Sequence, residues 1–329
     1  MAIAAGGAAF ASRFINQLPP FIAMHIAGFT IIRNALRNDY PVVEAICSIL
    51  PVVDEMVVSV GDSDDGTEEL IRSIGSPKIR LVHSVWDPAL RTGGTVLAVE
   101  TDKAFRQISP AADWAFYLQA DEVVHERYHD AIRQAAAQHL HDPAVEGLLF
   151  DYEHFYGTYD YVGASRRWYR HEVRIIRNDP AIHAYRDAQG FRRAGQKLRV
   201  QPAQATVYHY GWVKEPRQMR SKMDSLATFW DGGQAPAGPA NPAAAFAYED
   251  FDALRYFEGT HPAVMRERVA RKNWTVALDV TQTRFTPLKW LLYWVERRTG
   301  YRVGEYRNYR LAVPARGGQV PALPRPELV

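Results

Sequence analysis

Between Phe21 and about Tyr210 the sequence alternates short β-branched runs with stretches of helical spacing, and this alternation restricts the fold more than any other feature. "FIAMHIAGFTIIRN" contains a first strand. "YPVVEAICSILPVV" places Val42, Val43, Ile46, Ile49 and Leu50 on one helical face. "EMVVSV" is a second strand. "DDGTEELIRSIG" opens with Asp65 and Thr67, which suit a helix start, and closes at Gly75. "KIRLVHSV", "DWAFYLQA" and "VEGLLFDY" are further strands, separated by the helical patterns "GGTVLAVETDKAFRQI" and "HERYHDAIRQAAAQHL". The order β-α-β-α-β-α-β-α-β predicts an α/β fold with a doubly wound, mostly parallel sheet. Such sheets bind ligands outside the carboxyl ends of their strands. Two of those ends carry acidic clusters, "VGDSDDGT" after the second strand and "QADE" after the fourth.

Beyond Phe150 the pattern changes. "DYEHFYGTYDYVGASRRWYRHEVRIIRN" is aromatic, basic and strand-like, and "ATVYHYGWVK" reads as another short strand that ends in a histidine, His209. The Gly/Pro/Ala-rich stretch from Asp231 to Ala245 reads as a linker or lid. The expected organisation is a loose tail at 1–20, a catalytic domain at 21–230, and a linker with a helical C-terminal appendage at 231–329.

Charge and cysteine usage exclude several functions. With a formal net charge of +2, the chain as a whole is no polyelectrolyte, and no nucleic-acid partner is expected. The basic residues are concentrated late: residues 261–310 hold eleven Lys or Arg against four Asp or Glu, interleaved with Trp and Tyr. This segment, above all "PLKWLLYWVERR", is too short to span a bilayer and could lie on a membrane surface. Cys47 is the only cysteine, so there is no disulfide framework and no cysteine zinc site. The N-terminus lacks the charged region and apolar core of a signal peptide. Together these predict a cytoplasmic protein with peripheral contact to the inner face of the membrane.

The stretch "YLQADEVVHERYH" admits two metal readings. His125-Glu126-Arg127-Tyr128-His129 spells the H-E-x-x-H of zinc proteases. A charged Arg127 inside the motif and the lack of a third ligand on a following helix argue against that reading. Alternatively, Asp121 at the end of the fourth strand can hold Mg²⁺ or Mn²⁺, which prefer oxygen donors. The bland version of that corner makes Asp121 a helix N-cap and Glu122 a first-turn acid. There is no phosphate-binding G-x-x-x-x-G-K-[ST] and no G-x-G-x-x-G. "RTGG", starting at Arg91, precedes a helix and could bring backbone N–H groups to a phosphate.

In order, "RNDYPVVEAICSILPVVDEMVVSVGDSDDGTEELI", "WDPALRTGG" and "DWAFYLQADEVVHE" resemble a family 2 glycosyltransferase of the GT-A fold over roughly Ile22 to Lys214. The resemblance implies inverting transfer of a sugar from a UDP- or GDP-linked donor to a carbohydrate or lipid-linked acceptor, as in cell-envelope polysaccharide synthesis. It implies a divalent cation, Mn²⁺ or Mg²⁺, on Asp121, which matches the last acid of the family's D-x-D motif. Gln119 stands where that motif's first Asp is expected, and can hydrogen-bond but brings no charge. Asp65-Gly66-Thr67 matches the D-G-T turn near the nucleotide base, with Asp62 substituting for an Asp usually found near position 60. Arg33 and Asn34 match the end of the first strand, which lines the nucleotide pocket. His209 corresponds to a late histidine that serves the metal or diphosphate.

Inverting transfer also needs a carboxylate base. Glu172, flanked by Trp168, Tyr169 and Arg170, is the expected one, with Asp151 and Glu153 as alternatives. Two rival functions share the topology. A nucleotidyltransferase usually has a Gly-rich basic loop after the first strand, and "FTIIRNALRNDY" has none. A non-catalytic sugar-nucleotide-binding protein would account for Gln119.

Overall fold

The computed structural model describes residues 24–229 and 245–312, so the expected tail at 1–20 and the linker at 231–244 lie outside the described residues. The strands are β1 (Ile26–Ile32), β2 (Glu55–Val60), β3 (Ile79–His83), β4 (Trp114–Tyr117), β5 (Glu122–Val124), β6 (Gly147–Gly157), β7 (Tyr161–Gly163), β8 (His171–Arg177), β9 (Ile182–Tyr185), β10 (Gly190–Arg193), β11 (Gln196–Lys197), β12 (Arg199–Val213), β13 (Leu254–Tyr256) and β14 (Arg310–Leu311). The helices are α1 (Val42–Ile49), α2 (Thr67–Arg72), α3 (Thr95–Phe105), α4 (His129–Gln138), α5 (Pro216–Ala227), α6 (Arg266–Ala270) and α7 (Pro287–Thr299).

Strand β1 is buried along its whole length. A strand covered on both faces reads as a continuous apolar run, which is why "IAGFTII" shows no polar alternation. Successive side chains point to opposite faces. Ile26 and Ile32 join a core cluster with Ala45, Ile46 and Ile49 of α1 and Ile132, Ala135 and Ala136 of α4. Ala27, Phe29 and Ile31 join another with Val96, Ala104 and Phe105 of α3. The sheet is thus wound on both faces, as the alternation predicted. Gly28 keeps β2 close: a Cβ there would stand 2.6 Å from Met56 Sδ.

The strand order in the main sheet is β13-β7-β6-β8-β4-β1-β2-β3, with β12 lying on β6 and β5, and β14 on β12. The run from β4 to β3 is parallel. Strand β8 enters antiparallel between β4 and β6. Hydrophobic periodicity marks β6 as a strand, but it does not show that a later apolar segment takes the place beside β4. The C-terminal part supplies α6 and α7 and also β13 and β14, which pair with β7 and β12.

One local expectation is corrected. The crossover helix does not start at the "QADE" corner. Glu122 begins β5, a short 3-10 turn spans Glu126–Tyr128, and α4 begins only at His129. The cause is electrostatic. The Glu122 carboxylate accepts from Arg174 Nε at 2.8 Å and Nη2 at 2.7 Å, from Tyr152 Oη at 2.9 Å and from the Gln119 amide at 3.0 Å. Glu122 and Arg174 are both almost wholly buried. A buried guanidinium needs such a partner, and that demand overrides the weak preference of an acid for a first helical turn.

The pieces of H-E-x-x-H are also used separately. His125 Nε2 contacts Thr260 Oγ1 at 2.9 Å, His129 Nε2 contacts the Ser48 carbonyl at 2.8 Å, and Glu126 accepts from the Ala263 amide at 3.0 Å.

Candidate functional site

The chain leaves β1 toward β2 and β3 on one side, then returns to β4 on the other. This reversal opens a crevice at the carboxyl ends of β1 and β4, where such sheets bind ligands. A cavity of about 360 Å³ lies there. Ile31 to Asn34 from the end of β1 and Gln119 to Asp121 from the end of β4 line it. Trp86 and Tyr40 close its sides, and Lys222, Ser225 and Leu226 of α5 cover it.

Four of the predicted residues therefore meet in one cavity: Arg33, Asn34, Gln119 and Asp121. Asn34 adopts the left-handed conformation with φ 52°, which Asn tolerates better than most residues. Its amide donates to Ser63 Oγ at 3.0 Å, and its side-chain oxygen accepts from the Asp64 amide at 3.3 Å. Asp62 sits beside the cavity, paired with Arg33 at 3.0 Å. Asp65 is spent on the turn: it accepts from the Thr67 amide and hydroxyl and from the Arg37 amide. Arg91 precedes the 3-10 turn Thr92–Gly94 and is not among the lining residues.

Among the described residues, two buried polar atoms on the cavity wall find no partner: Asn38 Oδ1, an acceptor, and Trp86 Nε1, a donor. Buried polar atoms are rarely left unpaired, because each such loss costs roughly 1–3 kcal/mol. A ligand with polar edges would satisfy them.

Asp121 is the electrostatic centre. Its Oδ2 accepts from Lys222 Nζ at 3.0 Å and lies 3.8 Å from His209 Nε2. Burial opposes ionisation of this carboxyl, but the Lys222 ammonium, with Lys214 nearby, outweighs it and holds the group well below the usual carboxylate range. Lys222 Nζ also donates to the Gly211 carbonyl at 2.8 Å and stands over the Tyr40 ring. Lys214 Nζ also lies over that ring and donates to the Asp39 carbonyl. Burial and the neighbouring Lys222 ammonium push Lys214 down to about 7.

A chain of imidazoles orients His209. Burial pushes both His154 and His209 down from the usual histidine value, so both are neutral near pH 7. His154 Nε2 lies 2.8 Å from the Tyr169 carbonyl and must donate to it. Its Nδ1 is then an acceptor, so His209 Nδ1, 3.1 Å away, carries a proton. The lone pair of His209 is left on Nε2, the atom nearest Asp121. Two acceptors, Asp121 Oδ2 and His209 Nε2, thus converge.

The donor set suits a small divalent cation. One carboxylate oxygen and one neutral imidazole are a partial shell, and such ions usually complete it with phosphate oxygens and water. Among the described residues no group of three or more His, Cys, Asp or Glu is placed to hold a metal by itself.

Glu172 lies apart from the cavity lining, buried on β8. Burial pushes its carboxyl up to about 7, against the opposing pull of Arg174 and of the Asn308 amide at 3.4 Å. Asp151 is paired with His171 at 3.1 Å, and Glu153 with Arg255 at 2.7 Å.

Lys222, Gly211 and Trp86 were not read from the sequence as site residues. Lys222 did leave a signal: it shares the buried face of α5 with Met219 and Met223, and a lysine on an apolar stripe needs a partner. Gly211 left none, though a Cβ there would meet His209 Nε2 at 2.6 Å and Asp121 Oδ2 at 2.7 Å.

No family model and no curated protein sequence matches the chain. Among solved structures it is similar to TarS of S. aureus, with 14% identity and a TM-score of 0.35 over 62% of this chain and 39% of that one. It is also similar to glucosyl-3-phosphoglycerate synthase from Mycobacterium tuberculosis, crystallised with Mn²⁺, uridine diphosphate and phosphoglyceric acid. That match has 19% identity and a TM-score of 0.28 over 41% and 44% of the two chains. A third is 4-diphosphocytidyl-2C-methyl-D-erythritol synthase from Anaerococcus prevotii DSM 20548, with 10% identity and a TM-score of 0.30 over 47% and 70%. The chain spans less than half the length of the first two.

Proposed function

We propose that the protein is a glycosyltransferase that binds a nucleotide sugar in the cavity between the ends of β1 and β4. The observation that carries this reading is the cavity itself, at the reversal of the sheet. Its lining holds the Asp121–Lys222 ion pair, with His209 just behind Asp121, together with the Trp86 ring and two unpaired polar atoms, Asn38 Oδ1 and Trp86 Nε1. A charged corner suits a diphosphate, and an aromatic wall with polar edges suits a nucleoside. The order of motifs along the chain supports a nucleotide-sugar donor. A nucleotidyltransferase is disfavoured by the lack of a Gly-rich basic loop after β1.

In this reading Lys222 gives an ammonium to the leaving diphosphate, and Gln119 gives a neutral carboxamide to the donor. Asp121 and His209 would hold a divalent cation, which supplies Lewis-acid neutralisation of the leaving group. Glu172 is the proposed base; it is buried outside the cavity lining, so the acceptor would have to reach it from the β8 side. Of the three candidate carboxylates only Glu172 has no ion pair within 4 Å among the described residues, and a carboxyl near 7 suits proton abstraction at neutral pH.

The reading is tested by hydrolysis and transfer assays on a panel of UDP- and GDP-sugars, with Asp121→Ala as control. Turnover of at least one donor, lost in the variant, is expected. If no donor binds or reacts, and the variant behaves as wild type, the reading fails.

Glu172→Gln separates a catalytic from a structural role. The folded-state pKa of Glu172 is raised from 4.5 to about 7, so ionising it costs stability as pH rises through that range. Glu172→Gln should therefore match wild type near pH 4 and be more stable by roughly 1–3 kcal/mol at pH 8. If Glu172 is the base, transfer also falls by about 10²-fold or more in the same variant. Unchanged transfer alongside the stability shift would make Glu172 structural only.

We also assign α7 to an anionic membrane surface. Leu288, Trp290, Leu291 and Trp294 are exposed there, next to exposed Lys289 and Arg298. Apolar and aromatic residues beside cations are the composition of interfacial helices. No described helix is long and apolar enough to cross a membrane. Sedimentation with phosphatidylserine-containing vesicles should retain wild type and lose Trp290→Ser/Trp294→Ser. Equal partitioning of both proteins would remove the assignment.

A further inference from the structure

We propose that Lys222 holds the divalent cation's place on Asp121 until a diphosphate arrives, so that cation and diphosphate load together. The inference rests on the donor-site reading above and deepens it. Asp121 Oδ2 is the shared atom: Lys222 Nζ stands 3.0 Å from it, and His209 Nε2 stands 3.8 Å from it. A cation bound to both acceptors would lie beside the ammonium, and like charges repel strongly where water is excluded.

Charge balance points the same way. Asp121 and Lys222 together are neutral, and the Lys222 side chain is about nine-tenths buried. Adding a dication alone would leave two uncompensated positive charges in a buried corner, which is unfavourable. Adding it with the doubly negative diphosphate of a nucleotide sugar restores neutrality. Among the described residues no third His, Cys, Asp or Glu joins Asp121 and His209, so phosphate oxygens would help to fill the shell.

Lys222 has a second partner available. It lines the cavity, so rotation of its side chain carries Nζ from the carboxylate to a phosphate oxygen without moving α5. Only hydrogen bonds are exchanged. Gly211 permits the close arrangement, because a Cβ there would meet His209 Nε2 at 2.6 Å and Asp121 Oδ2 at 2.7 Å, and its carbonyl is the other acceptor of Nζ.

The test is Mn²⁺ binding by the full chain, read from the paramagnetic resonance signal of free Mn²⁺, with no sugar donor and no activity measured. Wild type is expected to bind Mn²⁺ weakly alone and at least about tenfold more tightly with uridine or guanosine diphosphate. Lys222→Met, which keeps the length of the stem, should bind Mn²⁺ at least about tenfold more tightly than wild type without nucleotide. Lys222→Arg keeps the charge and should stay weak, which guards against a folding artefact. Equal or weaker Mn²⁺ binding by Lys222→Met overturns the proposal, as does a wild-type affinity that no diphosphate alters. A chain that binds neither nucleoside diphosphate, with or without Mn²⁺, instead defeats the donor reading, and the Lys222→Met comparison still decides the role of the lysine.

Discussion

Glu122→Ala is expected to lower stability by about 3–5 kcal/mol, the usual consequence of stranding one member of a buried ion pair. Arg174 would keep its charge in a place where its side chain is 1% exposed, and Tyr152 and the Gln119 amide would lose their acceptor. In a chain of this size that loss corresponds to a melting temperature lower by roughly 4–7 °C. The double variant Glu122→Leu/Arg174→Met removes both charges and should recover most of the loss. Thermal unfolding of the three proteins checks both statements. A single variant within 1 kcal/mol of wild type by this measure would show that water reaches Arg174 and that the pair does not fix the corner.

The pair matters for the site because of where it lies. Glu122 directly follows Asp121, and its amide donates back to the Gln119 carbonyl at 3.0 Å. The carboxylate at 122 thus pins the turn that presents Asp121 and Gln119. Activity should fall in Glu122→Ala even at temperatures where the protein remains folded.

Gly211→Ala is the second large effect, and it acts on function more than on stability. The backbone at 211 is not left-handed, so alanine meets no conformational strain. Its methyl group would instead stand 2.6 Å from His209 Nε2 and 2.7 Å from Asp121 Oδ2, closer than real contacts allow. One of these groups must move, and Lys222, which binds both Asp121 and the residue 211 carbonyl, moves with it. Overpacking of this kind costs about 1–3 kcal/mol in stability. Loss of nucleoside diphosphate affinity should be at least about tenfold. Calorimetric titration of the folded variant measures it, and wild-type affinity would show that the corner does not contact the ligand.

Much of the fold was legible because local patterns and packing agree. The buried faces of α1 and the runs of β1, β2 and β4 follow from residue spacing, and Asp65 and Gly75 bracket α2 as start and stop chemistry. The place of β8 was not legible, because periodicity marks a strand without naming its neighbour. That Asp121, Gln119, Arg33 and Asn34 line one cavity was legible from their places after β1 and β4, two strands the topology sets side by side. The alternative that made Glu122 a first-turn acid does not hold, and its actual partner was not legible, since Arg174 lies 52 residues away. Lys222 could have been found from its place on the apolar stripe of α5. Gly211 could not, because a glycine in a strand shows nothing of what a side chain would strike.

The most direct test of the central claim is a crystal structure of the chain with the nucleotide sugar selected by the donor panel. The nucleoside is expected against Arg33, Asn38 and Trp86, with a phosphate oxygen within hydrogen-bond distance of Lys222 Nζ. A ligand bound elsewhere, for example in the cavity between His125 and His261, with the space at Asp121 left to solvent, would contradict the account.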